Sequence, residues 1–275
     1  MKSVKFNIPE DRGTLYEVIK YPAGETQVRL TSVGIISCSE KVEYVISANP
    51  IPDLIELAQL KSALDGLGGW HYRILELMYL PYARADRRFV QGDSHGLEMF
   101  GKLINAMEFD VVYTFDVHSV AAHVLVKNLI NLDPILHYDQ ITPVIKKLGK
   151  NNLALVVPDK GAQRRYDLLK FDLPLFVGEK TRDAGTGKLS GFQIDYNIKN
   201  YKKALIVDDI CDGGGTFIGL AEEIHRLNPE IELSLYVSHG IFSQGFRKLN
   251  TQFDDRIFVS DFTLNLSKYS NWKQI

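Results

Sequence analysis

Asp208 and Asp209 stand side by side at the end of the apolar run Leu205-Ile206-Val207, and Asp212 follows just before Gly213, Gly214, Gly215 and Thr216. An apolar run of this kind suits a parallel strand covered on both faces, and glycines allow a turn tight enough to aim N–H groups at an anion. A helix starting there adds unpaired amides and its dipole, so residues 213–216 form a seat for a dianionic phosphate. The two carboxylates would repel that phosphate. They fit the hydroxyls of a ribose, or a metal beside it. An ordinary glycine-rich turn next to a solvated acid pair accounts for any one of these features. It does not account for three acids, three glycines and a threonine together at an expected strand-to-helix switch.

Further reactive groups recur at the ends of apolar runs. His118 follows Val111-Val112-Tyr113-Thr114-Phe115, which puts an imidazole at the carboxyl end of a strand, where α/β folds bind ligands. Asp159 follows Ala154-Leu155-Val156-Val157-Pro158. It can cap the next helix, serve a ligand, or do both. Arg84, in Pro81-Tyr82-Ala83-Arg84, ends another such run, where a guanidinium can grip phosphate bidentately or simply be solvated. Lys180 and Arg182 sit at the root of a glycine-bearing, charged stretch. Cations that arrive when a lid closes suit a reaction in which charge builds on transferring phosphoryl oxygens.

The elements needed to carry these groups alternate in the α/β manner, with mainly parallel sheets. Strands are expected near 42–48, 72–79 and 110–115, with helices near 53–66, 94–107 and 119–130. A second series has strands near 153–157, 174–178, 203–208 and 232–237, and helices near 162–169, 215–227 and 243–249. The polar stretch 138–151, with Pro143, is the expected junction, giving domains 1–146 and 147–275. Residues 180–199 show no strand or helix pattern and are expected to form a long mobile loop.

At 275 residues the chain is long enough for two cores, and 45% hydrophobic with 24% charged residues is the composition of a globular protein. A net charge of −2 gives no reason to expect a nucleic-acid or membrane partner. Cys38 and Cys211 form no CxxC pair, and the amino terminus lacks a signal-peptide pattern, so a reducing, cytoplasmic setting is expected.

The stretch 208–216 resembles the phosphoribosyl diphosphate motif of type I phosphoribosyltransferases. Taken with Pro81-Tyr82-Ala83-Arg84-Ala85-Asp86, Asp116-Val117-His118-Ser119, Pro158-Asp159-Lys160-Gly161 and Ser238-His239-Gly240-Ile241-Phe242-Ser243, it makes the chain similar to the ribose-phosphate diphosphokinases. That resemblance implies two tandem type I phosphoribosyltransferase-like domains, with an ATP side in the first and a ribose 5-phosphate site in the second. It implies that Asp212 to Thr216 hold the 5-phosphate and that Asp208 and Asp209 meet the ribose hydroxyls. His118 and Asp159 match magnesium positions, Arg84 and Asp86 an ATP-binding segment, and Lys180 and Arg182 the catalytic cations. Tyr21-Pro22-Ala23-Gly24-Glu25-Thr26 looks like an adenine-binding stretch, with Tyr21 stacking and Glu25 accepting from the amine. Family members supply that stretch from a neighbouring subunit, so a homo-oligomer is expected. The glycine loop alone suits equally a transferase that consumes the same diphosphate, and a catalytically silent regulatory homologue is a third reading.

Overall fold

The computed structural model describes residues 3–31, 33, 43–48, 53–132, 135–166, 171–182 and 189–260, the side chains of 135–138, 181, 182, 189 and 190 excepted. The chain forms two compact units, 1–132 and 133–275. Each is an α/β assembly built on a five-stranded sheet whose paired strands all run parallel.

In the first unit the strands are β1 (Ser3–Ile8), β4 (Glu43–Ala48), β5 (Tyr72–Glu76), β6 (Val111–Phe115) and β7 (Leu129–Leu132), in that spatial order. An antiparallel hairpin of β2 (Tyr16–Lys20) and β3 (Thr26–Leu30) adds Tyr16, Val28 and Leu30 to the same core. Helix α1 (Leu54–Asp65) starts where Asp53 accepts from the amides of Ile55 and Glu56, at 2.9 and 3.2 Å. Such a cap contributes about 1 kcal/mol. Helix α2 (Gly96–Ala106) buries Leu97, Phe100, Gly101 and Ile104, the spacing of one helical face.

In the second unit the order is β14 (Ile257–Val259), β13 (Glu232–Gly240), β12 (Lys203–Cys211), β8 (Leu153–Val157) and β9 (Leu175–Val177). Every residue of β8 is buried, as a strand covered on both faces requires. One face packs on α6 (Gly215–Leu227) and α7 (Arg247–Phe253) through Phe217, Leu220, Ile224, Leu249 and Phe253. The other face packs on α4 (Ile135–Leu148) and α5 (Lys160–Tyr166) through Ile141, Val144, Ile145, Ala162 and Tyr166.

Several expectations are corrected. The helix expected over 119–130 is the short α3 (Ala122–Leu125), followed directly by β7. Asn128 takes a left-handed conformation, φ 57°, and its side-chain amide donates to the Phe109 carbonyl, so the chain turns and Leu129-Ile130-Asn131-Leu132 pairs with β6. The stretch 138–151 lies largely within α4, which joins the second unit, and the units divide between Leu132 and Asp133. Its polar residues are the exposed side of a helix whose Ile141, Val144 and Ile145 are buried. Residues 180–199 do contain regular structure. An antiparallel hairpin, β10 (Glu179–Arg182) with β11 (Leu189–Gln193), is followed by a 3-10 helix at Tyr196–Asn200. Positions 183–188 and Cys38 lie outside the described residues.

Candidate active site

In the second unit the reactive groups collect at the carboxyl ends of β12 and β8. Strand β12 runs through Asp208 and Asp209 to Cys211, and the chain then turns through Asp212 and Gly213 to Gly214. Gly214 has φ 81° at the cap position of α6, and a Cβ there would also stand 3.0 Å from Leu249. Position 214 therefore favours glycine, because φ 81° strains any residue with a Cβ and the Leu249 side chain would have to give way. The first amides of α6 start from this turn with no intrahelical acceptor, the local geometry on which the expected anion seat at residues 213–216 depends. The amides of Ile241 and Phe242 both donate to the Cys211 carbonyl, at 2.8 and 3.1 Å, and so lay the segment after β13 alongside the turn. Cys211 itself is a buried thiol, pushed up to about 12 by burial and by Asp208 and Asp212.

The acid pair is asymmetric. Asp209 is buried and ion-paired with Arg165 of α5, Nη1 to Oδ2 at 2.7 Å. Asp208 is half-buried, and its carboxyl is raised well above the usual range, first by desolvation and then by the neighbouring charge of Asp209. Burial and the neighbouring acid thus drive Asp208 toward the neutral form, while Asp209 is paired with a guanidinium. A carboxyl that can donate and a carboxylate that accepts together suit the hydroxyls of a sugar.

Asp159 caps the following helix, one of the two roles expected of it, and also pairs with Lys180. Its Oδ1 accepts from the amides of Gly161 and Ala162, at 2.9 and 3.1 Å, which caps α5, and its Oδ2 accepts from Lys180 at 2.9 Å. Burial raises the Asp159 carboxyl, but the Lys180 ammonium and the two amides outweigh it and hold it below the ordinary range. Lys180 is therefore brought from β10 to the strand end, and Arg182 lies two residues on along the same strand.

In the first unit Tyr82, at φ 63°, bends the chain after β5. Asp86 then accepts from the Arg87 guanidinium at 2.9 and 3.2 Å and from Ser119 Oγ at 2.7 Å. Arg87 first, then Ser119 and the charge of His118, hold the Asp86 carboxyl low against the opposing effect of burial. Two segments far apart in sequence, 81–88 and 116–119, thus meet at the ends of β5 and β6. Arg84 and His118 are exposed there. Tyr21 and Glu25 occupy the exposed turn of the β2–β3 hairpin, where the Tyr21 amide donates to the Glu25 carbonyl at 2.9 Å.

Two participants escaped sequence reading, Arg165 and the orienting role of Ser119. The Arg164-Arg165 doublet looks like any charged turn of a helix, and only packing shows which of the two faces Asp209.

Among the described residues no group of three His, Cys, Asp or Glu is gathered to hold a metal alone. Asp159, whose oxygens accept from two amides and Lys180, and His118, an exposed imidazole of the other unit, are each a single donor at a strand end.

No protein-family model matches the chain. It is 31% identical over 239 residues to the ribose-phosphate pyrophosphokinase of Pyrococcus abyssi, across 83% of this chain and 77% of that protein. The chain belongs to the ribose-phosphate pyrophosphokinase family. The family's member from Pyrococcus furiosus is 29% identical over 266 residues, covering 94% of this chain and 89% of its own length. The fold matches the crystal structure of phosphoribosylpyrophosphate synthetase from Mycobacterium smegmatis with a TM-score of 0.77 over all of this chain and 93% of that one, at 18% identity. Both units are accordingly phosphoribosyltransferase-like, and among the described residues no helix is long and apolar enough to cross a membrane.

Proposed function

We propose that the chain transfers the β,γ-diphosphoryl group of ATP to the 1-hydroxyl of ribose 5-phosphate, giving phosphoribosyl pyrophosphate and AMP. The observation that carries this reading is the whole first α/β unit, in which the Asp86–Ser119 bond joins the 81–88 and 116–119 segments, added to the acid pair and glycine turn at 208–216 of the second. Asp212 to Thr216 would take the 5-phosphate, and Asp208 and Asp209 the ribose hydroxyls. The first unit would take ATP, with Arg84 on phosphate, Asp86 keeping the 116–119 segment in place, and Tyr21 and Glu25 of a neighbouring copy at the adenine.

In the transfer the sugar oxygen bonds to the β-phosphorus in line, the bond to the bridging oxygen breaks, and that oxygen leaves with AMP. The hydroxyl proton passes to solvent. No protein nucleophile is needed, because positioning and charge neutralisation supply most of the rate in phosphoryl transfer. Lys180 leaves Asp159 for the transferring oxygens, joined by Arg182. Magnesium, our assignment for the cofactor, would neutralise phosphate charge, with His118 in the first unit and Asp159 in the second each proposed as a ligand position.

Release of AMP from ATP, dependent on ribose 5-phosphate and accompanied by phosphoribosyl pyrophosphate, tests the assignment. Consumption of phosphoribosyl pyrophosphate with a free base and no AMP release would show a phosphoribosyltransferase instead. Silence in both assays would leave the regulatory homologue.

A further inference from the structure

Helix α5 is only seven residues long, yet it carries an ion pair at each end. At its start Asp159 binds Lys180, and in its last turn Arg165 binds Asp209 with side chains 18% and 4% exposed. A carboxylate buried to that degree is costly unless a cation matches it, and removing the cation costs more than the pair itself contributes. Asp209 also adjoins the second acid, because its main-chain amide donates to Asp208 Oδ1 at 2.9 Å. Both acids sit on the strand that runs into the glycine turn. One short helix therefore ties the cation-bearing hairpin to the acid pair.

We propose that Arg165 is a positioning residue for the sugar side of the site, locking the Asp209 carboxylate beside Asp208 in the orientation that grips the ribose hydroxyls. The inference rests on the ribose 5-phosphate reading given above. Without the guanidinium, Asp209 would take up a proton or swing toward water. Either change alters the hydrogen-bonding character of the pair, which is what distinguishes a sugar from any other phosphorylated molecule at the glycine turn. Arg165 would touch no substrate atom itself.

The full-length chain with Arg165→Met keeps most of the apolar stem and loses the charge. Calorimetric titration with ribose 5-phosphate should show binding weakened about tenfold, the worth of one charge-supported hydrogen bond. The KM for ATP should stay within about twofold of wild type, a change too small to count as lost transition-state binding. Arg165→Lys, a point charge without the planar fork, should recover part of the affinity. The double variant Arg165→Met/Asp209→Asn should regain thermal stability but not ribose 5-phosphate binding, which a purely structural pair would not produce. Unchanged ribose 5-phosphate affinity in Arg165→Met, or equal rises in both KM values, overturns the proposal. Should Arg165→Met fail to fold, Arg165→Lys decides: weaker sugar-phosphate binding at unchanged ATP KM supports the proposal, and wild-type binding overturns it. A wild-type chain that binds no ribose 5-phosphate at all overturns the site reading and this inference together, whereas wild-type binding with an indifferent Arg165→Met overturns the inference alone.

Discussion

Lys180 rests on Asp159 at 2.9 Å, a position that satisfies its charge but does no chemistry. If it moves to the transferring phosphoryl group, Lys180→Ala removes a contact made chiefly in the transition state. The expected result is a kcat lower by roughly 10²–10³-fold, as for loss of one oxyanion donor, with ribose 5-phosphate affinity little changed. Steady-state kinetics beside direct binding would show it, and equal losses in both would remove the transition-state role. Gly214 offers a second test at this scale. Alanine there must adopt φ 81° and meet Leu249 at 3.0 Å, so Gly214→Ala should cost about 1–3 kcal/mol in urea unfolding and abolish phosphate affinity.

The elements transmit these residue positions. Gly219 of α6 lies where a Cβ would come within 2.9 Å of the Phe192 ring on β11, and Phe192 is buried. This close approach seats the cation-bearing hairpin on the helix that opens the phosphate seat. Gly219→Ala should therefore destabilise by about 1–3 kcal/mol, the usual effect of overpacking, and lower kcat by displacing Lys180. A urea midpoint and an AMP-release assay on one preparation would test both halves.

Helix α1 ends in a charged knot in which Asp65 accepts from Lys61 at 2.6 Å, Tyr44 at 2.8 Å and Arg73 at 3.2 Å. Burial raises the Asp65 carboxyl, but Lys61, Tyr44 and Arg73 prevail and hold it below its ordinary 3.8. A depressed carboxyl stabilises the fold above its ordinary value and loses that contribution as pH falls through the folded one. The wild-type advantage over Asp65→Asn, roughly 1 kcal/mol at neutral pH once solvent screening is allowed for, should therefore shrink as the medium is acidified below about pH 4. Urea unfolding of both proteins across that range would reveal an advantage that fails to narrow.

At the scale of the whole molecule, the chain forms two units with cores of their own, and the hairpin turn bearing Tyr21 and Glu25 stands exposed on the first. If a neighbouring copy supplies that turn, neither Tyr21→Ala nor Lys180→Ala should turn over well alone. An equal mixture should recover activity, because random pairing leaves roughly a quarter of the sites with both native residues. Activity no greater than the sum of the separate variants would place the whole site within one chain.

The acid pair, the glycine turn and the central strands that carry them were legible along the chain, because a run such as Leu153-Ala154-Leu155-Val156-Val157 and the turn that follows it are local in chemistry, whereas the edge strands Ser3–Ile8 and Ile257–Val259 and the hairpin at 16–30 were not. Long-range pairing was not legible. Leu129–Leu132 reads as helix until β6 is there to pair with it, and the charged stretch after Lys180 reads as a loop until Phe192 finds Gly219. The polar residues of α4 mimic a linker until Ile141 and Val144 find β8. Residue types and their local order thus stated which chemistry the chain holds. Tertiary packing alone decided that Arg165 on one short helix and Asp159 just before it find Asp209 and Lys180 as partners, because charges far apart in sequence become partners only when burial makes an unmatched charge too costly to keep.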